Sequence, residues 1–404
     1  TMIKDAYIID AIRTPIGNFG GTLSAVRPDD LGALVMKELI NRNSTLNPSE
    51  IEDVLFGCAN QAGEDNRNVA RMSSLLAGLP HTLGGETINR LCASGMASTI
   101  NASRAIKIGD GDLYISGGVE NMTRGPWVIS KVSKPFGRDA QMHDSSFGWR
   151  FVNPKMKELY GVDGMGQTAE NLVDIYKISR EDQDQFAYWS QMKATKAQND
   201  GILAQEIVPV IIPQRRKEDL IFDQDEFIRP TTTLEVLGKL RPAFRKEGGT
   251  VTAGNASGLN DGAGAILVAS EEAAIRNGLT PKARIVSSAV AGVEPRIMGI
   301  GPVYASQKAL KRAGLTLADM DIIELNEAFA AQSLACTREM GLADNDPRIN
   351  PNGGAIAIGH PLGMTGSRIL QTAMLELHRT NKKYALVTMC IGVGQGYATI
   401  IERV

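Results

Sequence analysis

Several features that would point to particular classes of function are missing from this sequence. No apolar stretch approaches the roughly 20 residues that a membrane-spanning helix needs, and the first residues, Thr1–Asp5, contain no apolar signal core. We therefore expect a cytoplasmic protein without a membrane partner. The formal net charge is −2, and no basic cluster is interleaved with aromatic residues, which argues against a nucleic-acid partner. A small molecule is the expected partner.

Cysteine and histidine are scarce and scattered. The four cysteines and four histidines form no C-x-x-C or H-x-x-x-H pair, although such spacings are typical of zinc sites. We therefore expect neither a metal site nor a disulfide framework. No G-x-S-x-G motif occurs, which argues against a serine hydrolase. Gly392-Val393-Gly394 lacks the helix and the acidic residue that a nicotinamide-binding fingerprint needs after it.

What the sequence does contain is an α/β pattern. Predicted strands such as Ala6–Ala11 and Ile51–Phe56 alternate with predicted helices such as Asp29–Asn41. This alternation indicates right-handed crossovers and a mostly parallel sheet that is covered on both faces.

The pattern occurs twice. Leu46–Phe56 is similar to Leu315–Leu325, and Leu113–Gly118 is similar to Ala385–Cys390, at a separation of about 270 residues in both cases. The shared order of the two matches predicts two related α/β halves.

A long irregular segment interrupts the first half. We predict an N-terminal α/β half of residues 1–120 plus 251–272, an inserted loop domain of residues 121–250, and a C-terminal half of residues 273–404. The insertion contains two predicted helices, Thr168–Lys177 and Ser179–Asn199. Such excursions usually carry binding specificity, but some cover a sheet edge or build an oligomer interface.

Cys92 stands between an extended segment and a predicted helix, Ala93–Ile108. A thiol in the first turn of a helix is close to unpaired backbone N–H groups, which favour the thiolate. The small residues that follow leave room for a substrate. Cys92 is therefore the candidate nucleophile, and the alternative is an inert buried thiol.

Several polar residues of the C-terminal half lie at predicted strand ends or in glycine-rich segments, where a purely structural core would have apolar residues. Asn326 and Glu327 follow a predicted strand, and Asn326 either serves chemistry or caps the next helix. His360 lies in a glycine-rich loop before a helix, which is a suitable position for proton transfer. Cys390 ends a predicted strand and is followed by a glycine-rich turn.

Together these segments resemble the thiolase family. The resemblance rests on Asn89–Met96, Asn326–Phe329, Gly359–Pro361 and Cys390–Gly394, in this order, and extends over the whole chain. It implies an α/β, thiolase-like fold: two similar five-stranded α/β halves in a layered αβαβα arrangement, with a loop domain inserted in the first half. It also implies a homotetramer.

The resemblance implies a mechanism as well. His360 takes the proton of Cys92, whose thiolate attacks the 3-keto carbon of a 3-ketoacyl-CoA and forms an acyl-enzyme. His360 and a water on Asn326 hold the enolate, while Cys390 acts as acid and base. The backbone N–H groups of Cys92 and Gly392 hold the oxyanion of the acyl-enzyme. Coenzyme A is the implied co-substrate, and no permanently bound cofactor is implied.

The inserted domain is implied to bind coenzyme A and the acyl group. The implied contacts with coenzyme A are Met165, Arg229, Phe244, Ala253 and Ser257. Many thiolases have a histidine immediately before the methionine, whereas this chain has Gly164, so one contact with pantetheine is not carried over. Thr365 replaces a frequent serine and keeps its hydroxyl group.

Within the family, the chain resembles most the 3-oxoadipyl-CoA thiolases of aromatic-compound catabolism. The similar segments are Gly148–Pro154, Gly292–Arg296 and Val393. The resemblance implies cleavage of 3-oxoadipyl-CoA to acetyl-CoA and succinyl-CoA in the beta-ketoadipate pathway. Cations mixed with aromatic residues in the insertion favour a carboxylated substrate, unless they are solvated surface charges. They are Lys131, Lys134, Arg138, His143 and Arg150.

Three other functions stay open at this point. The first is a general acetoacetyl-CoA or 3-ketoacyl-CoA thiolase. The second is a ketoacyl-synthase-like condensing enzyme, against which Cys390 argues. The third is a non-catalytic acyl-CoA carrier, which would be free to lose Cys92, His360 or Cys390. The sequence does not set the direction of the reaction, because the same site run backwards performs a Claisen condensation.

Overall fold

The helices and strands alternate along the chain in the computed structural model, which describes residues 3–404. The strands are β1 (Tyr7–Arg13), β2 (Gly17–Asn18), β3 (Asp53–Gly57), β4 (Glu86–Ile88), β5 (Leu113–Asn121), β6 (Trp127–Ile129), β7 (Met142–Asp144), β8 (Val210–Ile212), β9 (Leu220–Phe222), β10 (Asn260–Ala269), β11 (Ala283–Gly292), β12 (Ile322–Leu325), β13 (Tyr384–Ile391) and β14 (Gln395–Arg403).

The helices are α1 (Pro28–Arg42), α2 (Val69–Leu76), α3 (Ser94–Ile108), α4 (Pro154–Tyr160), α5 (Met165–Tyr176), α6 (Arg180–Asn199), α7 (Leu234–Gly238), α8 (Glu271–Arg276), α9 (Gly301–Ala313), α10 (Ala330–Glu339), α11 (Ala355–Ile358) and α12 (Leu362–Arg379). Among the helices of residues 3–404, none has both the length and the apolar character needed to cross a bilayer.

The two halves form one continuous sheet. Its order is β4-β3-β5-β10-β1-β11-β14-β13-β12, and the halves meet where β1 pairs with β11 through Tyr7–Arg284 and Ile8–Ala283. Beyond β12, Ile349 bridges to Ile323 in parallel. Counted inward from the two edges of the sheet, the strands of the two halves therefore follow the same order. β3 and β12 take equivalent positions, as do β5 and β13, and these strands contain the repeated segments.

The prediction of a mostly parallel sheet is wrong. β3 is parallel to β4 and β5, and β12 is parallel to β13, but β10 and β14 run antiparallel to their neighbours. The physical reason in the second half is the tight turn between Ile391 and Gln395, because strands joined by so short a connection must run antiparallel. β10 takes the equivalent position in the first half, although the insertion separates it from β5.

The helices lie in layers around the sheet, as predicted. Side chains of α1 and α2 pack on one side of the N-terminal half, and those of α9 pack on the C-terminal half. α3 and α12 share the central core with β1 and β13. These two helices approach closely, because a Cβ atom on Gly95 would lie 2.8 Å from the Gly363 carbonyl oxygen. The contact brings the beginnings of α3 and α12 together.

The insertion packs on both halves. α5 and α6 share an apolar cluster with α10 of the second half. On the first half, the buried Arg13 of β1 donates hydrogen bonds of 2.7 Å to Glu206 and to Asp225 of the insertion. The buried charges at this contact between β1 and the insertion are therefore paired and hydrogen-bonded. α5 begins at Met165 rather than at the predicted Thr168.

Candidate active site

Cys92 lies in a short 3-10 turn, Leu91–Ala93, immediately before α3. Leu91 has a φ of 47°, which is uncommon for a bulky residue. Local hydrogen bonds hold this turn: the Leu91 N–H donates to Asn89 Oδ1 at 2.8 Å, and the Ser94 hydroxyl donates to the Leu91 carbonyl at 2.7 Å. The strained turn therefore presents Cys92 at the beginning of the helix.

Two opposing effects act on the pKa of the Cys92 thiol. Loss of solvation raises the pKa of this thiol above its usual value, and backbone N–H groups of Gly392 and of Cys92 itself lower it by less. The backbone N–H groups therefore act on the thiol in the predicted direction, but loss of solvation outweighs them. Cys92 nevertheless differs from Cys58, Cys336 and Cys390, which are fully buried, because it is partly exposed.

His360 is held by its backbone and by its ring. The His360 N–H donates to Asn260 Oδ1 at 2.9 Å, and Nδ1 lies 2.7 Å from Thr365 Oγ1. The Thr365 hydroxyl donates its only proton to the Pro361 carbonyl at 2.8 Å. Thr365 must therefore accept a hydrogen bond from Nδ1–H, which leaves Nε2 without a proton.

Gly359 makes this arrangement possible. Its φ is 111°, and a Cβ atom there would lie 2.8 Å from Asn260 Cγ. Any other residue would push away the side chain that holds the His360 backbone.

The free nitrogen of His360 faces Asn326. Nε2 lies 3.5 Å from Asn326 Nδ2, and Asn326 Oδ1 is buried without a hydrogen-bond partner in residues 3–404. Burial, and after it the charge of Arg368, lower the pKa of His360 to about 3. A neutral imidazole with a free nitrogen is an available base. The alternative that Asn326 caps a helix is wrong, because α10 begins at Ala330 with Phe329 as its N-cap.

Cys390 and Gly392 complete the group around Cys92. Cys390 is buried near the end of β13, and burial raises the pKa of its thiol well above the usual value, with a further contribution from nearby Cys92. Gly392 begins the following turn and directs its N–H at the Cys92 sulfur. The Asn326 N–H donates to the Thr388 carbonyl at 3.0 Å, which holds the residue after β12 beside β13.

Glu327 serves the loop that carries His360. Its buried carboxylate accepts hydrogen bonds from the Ser190 hydroxyl at 2.5 Å and from Asn350 Nδ2 at 2.8 Å. A Cβ atom on Gly354 would overlap this carboxylate, at 2.2 Å from its carbon. Glu327 thus packs directly under the glycine-rich segment.

A buried carboxylate that the sequence reading missed, Glu120, links the beginnings of two segments. Glu120 of β5 accepts hydrogen bonds from the backbone N–H groups of Ala59 at 2.9 Å, Asn60 at 3.0 Å and Gly363 at 2.9 Å. Gly363 lies in the first turn of α12, just after His360. The only available signal was a charged residue near the end of a buried strand, which does not reveal its partners.

Glu120 also belongs to a buried cluster with Cys58 and Asp65, whose ligand atoms lie within 4.8 Å of one another. The Cys58 thiol donates to Asp65 at 3.4 Å and lies 3.8 Å from Glu120. Hydrogen bonds within the cluster and from the backbone satisfy these groups, so we assign it no metal.

The residues implied to bind coenzyme A lie in the insertion and in the loop that follows it, and some of them contact the segments that carry the catalytic residues. Met165 begins α5, and its sulfur lies 3.5 Å from where a Cβ atom on Gly392 would be. The Phe244 ring packs on Gly166 and meets the Phe329 ring edge to face at 6.1 Å.

The other implied contacts continue this surface. The Ser257 N–H donates to the Ala328 carbonyl at 2.9 Å. Ala253 is exposed in the same loop. Arg229 is also exposed, and its guanidinium lies 5.4 Å from the centre of the Phe227 ring. The structure thus places Phe244, Ala253 and Ser257 at Asn326–Phe329 or in the loop bonded to it. Met165 instead approaches Gly392, and Arg229 lies over the Phe227 ring.

The five cations that favoured a carboxylated substrate are either exposed or make local contacts within the insertion. Lys131, Lys134 and Arg138 are exposed in the segment between β6 and β7. Arg150 donates to the Ser145 carbonyl at 3.2 Å, and His143 packs against the Phe151 ring at 5.0 Å.

Comparison with known proteins gives the family. Residues 6–272 match the thiolase N-terminal domain and residues 279–403 match the thiolase C-terminal domain. The chain is 59% identical over 402 residues to the 3-oxoadipyl-CoA/3-oxo-5,6-dehydrosuberyl-CoA thiolase of Escherichia coli K12, with 100% of both chains covered. It is 58% identical over 402 residues to a beta-ketoadipyl-CoA thiolase of Acinetobacter baylyi, again with 100% of both covered.

A solved structure agrees with these matches. The crystal structure of the Bacillus anthracis acetyl-CoA acetyltransferase is similar to this chain with a TM-score of 0.92 and 40% identity, and the similarity covers 100% of both chains. This chain therefore belongs to the thiolase family, whose members are acyltransferases with coenzyme A as co-substrate.

Proposed function

We propose that this thiolase cleaves 3-oxoadipyl-CoA with coenzyme A, giving acetyl-CoA and succinyl-CoA through an acyl-enzyme on Cys92. The observation that carries the proposal is that Cys92 lies beside Cys390 and the Gly392 N–H, while a neutral His360 lies beside Asn326. The choice of substrate is supported by the names of the relatives at 58 and 59% identity.

The first step forms the bond between Cys92 and the substrate. His360 Nε2 takes the proton of the Cys92 thiol, whose raised pKa makes a base necessary. The thiolate then attacks the 3-keto carbon, and the carbonyl electron pair moves to its oxygen. The Nδ1–H bond to Thr365 keeps Nε2 free for the proton.

The second step breaks the bond between the second and third carbons of the acyl group. The oxygen electron pair re-forms the carbonyl, and the bond electrons leave with the enolate of acetyl-CoA. Protonated His360 and a water on Asn326 hold this enolate. Cys390 then donates its thiol proton to the second carbon, and its raised pKa keeps that proton available until this step.

The third step transfers the succinyl group. The Cys390 thiolate takes the proton of the coenzyme A thiol, whose sulfur attacks the acyl carbon on Cys92. The N–H groups of Cys92 and Gly392, which face the Cys92 sulfur, stabilise the oxyanion at that carbon. Cys92 leaves as a thiolate and recovers its proton from His360. Met165, Phe244, Ala253, Ser257 and Arg229 form the surface that holds coenzyme A.

The proposed substrate is tested by comparing kcat/KM for 3-oxoadipyl-CoA, 3-oxohexanoyl-CoA and acetoacetyl-CoA. We expect the carboxylated substrate to be preferred by tenfold or more. A preference for the uncharged six-carbon chain would indicate a general 3-ketoacyl-CoA thiolase instead.

We further infer a homotetramer that works in the cytoplasm. The support for assembly is the hairpin of β6 and β7, which exposes large apolar side chains such as Trp127 at 75%, Ile129 at 69% and Met142 at 64%. Exposed apolar patches of this kind mark association surfaces. The four unpaired cysteines support a reducing compartment. Light scattering is expected to give four chains for the wild type and fewer for Trp127→Asp.

A further inference from the structure

The two longer segments that resemble 3-oxoadipyl-CoA thiolases meet at one residue, Asp163. Trp149, from Gly148–Pro154, donates its indole N–H to the Asp163 carbonyl at 3.2 Å. Arg296, from Gly292–Arg296, pairs through Nε with Asp163 Oδ2 at 3.1 Å. Residues far apart in the sequence thus build one polar group.

This polar group borders the catalytic turn. Asp163 lies two residues before Met165, whose sulfur approaches Gly392. From the other side, the Val293 N–H donates to the Gly394 carbonyl at 2.8 Å. Arg296 is therefore connected to the turn beside Cys92 in two ways, through its ion pair with Asp163 and through its own segment, which begins near Val293.

The Arg296 guanidinium is held in place, but within the described part of the chain only its Nε makes a hydrogen bond. Asn171 Nδ2 donates to Asp163 Oδ2 at 3.0 Å and to the Arg296 carbonyl at 2.9 Å, so both ends of the ion pair are held. In residues 3–404 the two terminal nitrogens of Arg296 make no hydrogen bond, and 54% of its side chain is exposed. A planar guanidinium with two free N–H edges suits a carboxylate ligand.

Space for a ligand adjoins this residue. A Cβ atom on Gly164 would meet nothing within 4 Å. Gly164 is exposed between Asp163 and Met165, so no side chain at this position covers the polar group.

We propose that Arg296 binds the terminal carboxylate of the acyl group and thereby selects a dicarboxylic substrate. This inference rests on the proposed cleavage of 3-oxoadipyl-CoA. A succinyl group on Cys92 is short, so a cation that binds its carboxylate must lie close to the catalytic turn. Arg296 meets this condition, whereas Lys131, Lys134 and Arg138 lie exposed on the β6–β7 hairpin segment.

The test is the ratio of kcat/KM for 3-oxoadipyl-CoA to that for 3-oxohexanoyl-CoA, which has the same chain length without the carboxylate. In Arg296→Met we expect the ratio to fall roughly 10- to 100-fold, as for the loss of one hydrogen-bonded charge. The value for 3-oxohexanoyl-CoA should stay within about threefold of wild type. Arg296→Lys should recover part of the ratio, because it keeps the charge but not the planar fork.

Arg276→Met is the matched control. Arg276 pairs through Nε with Glu50 at 2.8 Å, and 50% of its side chain is exposed, but it lies on α8 away from the site. Its ratio should equal that of wild type. An unchanged ratio in Arg296→Met, or an equal loss of kcat/KM with both substrates, would overturn the role of Arg296. The proposed substrate would be unaffected by either result. A wild type that prefers 3-oxohexanoyl-CoA would overturn the proposed substrate, and the assignment with it.

Discussion

His360 donates its Nδ1–H to Thr365 Oγ1 across 2.7 Å, and this bond decides which nitrogen of the ring can accept a proton. The decision follows from Thr365 having one proton, which it gives to the Pro361 carbonyl at 2.8 Å. If the hydroxyl were absent, the buried Nδ1–H would lose its acceptor, and the tautomer with Nε2–H would no longer be disfavoured. Thr365 is therefore a positioning residue in the proposed mechanism.

We predict that Thr365→Val lowers kcat by roughly 10- to 100-fold, because less of the imidazole has a free Nε2. Thr365→Ser keeps the hydroxyl and should stay near wild type. Thr337→Val is the control, since Thr337 is also a buried helical threonine whose hydroxyl donates to a backbone carbonyl, that of Leu334 at 3.2 Å. An equal loss of kcat in Thr337→Val would mean that the effect of Thr365→Val is only structural.

The variant Cys390→Ser distinguishes the role of Cys92 as nucleophile from that of Cys390 as acid and base. We predict that a short pulse of 3-oxoacyl-CoA still adds one acyl group to this variant and that the group maps to Cys92. Turnover should fall ~10²-fold or more, because a serine hydroxyl at this buried position is a poor acid and base. Intact-mass measurement checks the acylation, and steady-state kinetics check the fall in turnover. An acyl group on another cysteine in the wild type would reverse the assignment.

The candidate residues of the site could be proposed from the sequence because they follow recognisable local patterns. Cys92 precedes a helix with small residues in its first turn, His360 lies among glycines, and Cys390 ends a strand before a glycine turn. Their order along the chain resembles that of a family. The repeat likewise predicted that β3 and β12, and β5 and β13, hold equivalent positions in the sheet.

Other features could not be predicted, because they depend on partners far away in the sequence. Glu120 bonds to Gly363, and Arg13 bonds to Asp225 across 212 positions. The net shift of the Cys92 pKa could not be predicted because solvation depends on everything that packs around the sulfur, and here its loss outweighs the backbone N–H groups. The direction of β10 depends on the insertion, whose course has no local signal.

The low pKa of His360 predicts how stability depends on pH. Its folded value is about 3, and its unfolded value is the ordinary 6.5. Between these values the unfolded chain binds one proton more, so the free energy of unfolding falls as the pH is lowered through 6.5. From pH 7.5 to pH 5 this residue should remove about 2 kcal/mol.

Denaturant unfolding at both pH values, of wild type and of His360→Gln, measures this loss. The variant should lose about 2 kcal/mol less than wild type over the interval. His378→Gln, at an exposed histidine, is the control and should keep the wild-type difference. Equal losses in wild type and His360→Gln would contradict the prediction.

Glu120 gives a final prediction, which concerns the beginning of α12. Its two carboxylate oxygens accept three backbone N–H bonds, from Ala59, Asn60 and Gly363. Glutamine has nearly the same shape but offers one acceptor oxygen, and its amide N–H would face at least one backbone donor. Glu120→Gln should therefore lower the free energy of unfolding by roughly 1–3 kcal/mol, the cost of a buried donor without a partner.

Because Gly363 follows His360 so closely, kcat of Glu120→Gln should fall as well. Glu64→Gln, at a partly exposed carboxylate that pairs with Arg124, is the control and should leave kcat unchanged. Glu120→Gln with wild-type stability and wild-type kcat would show that these three bonds do not hold the catalytic loop.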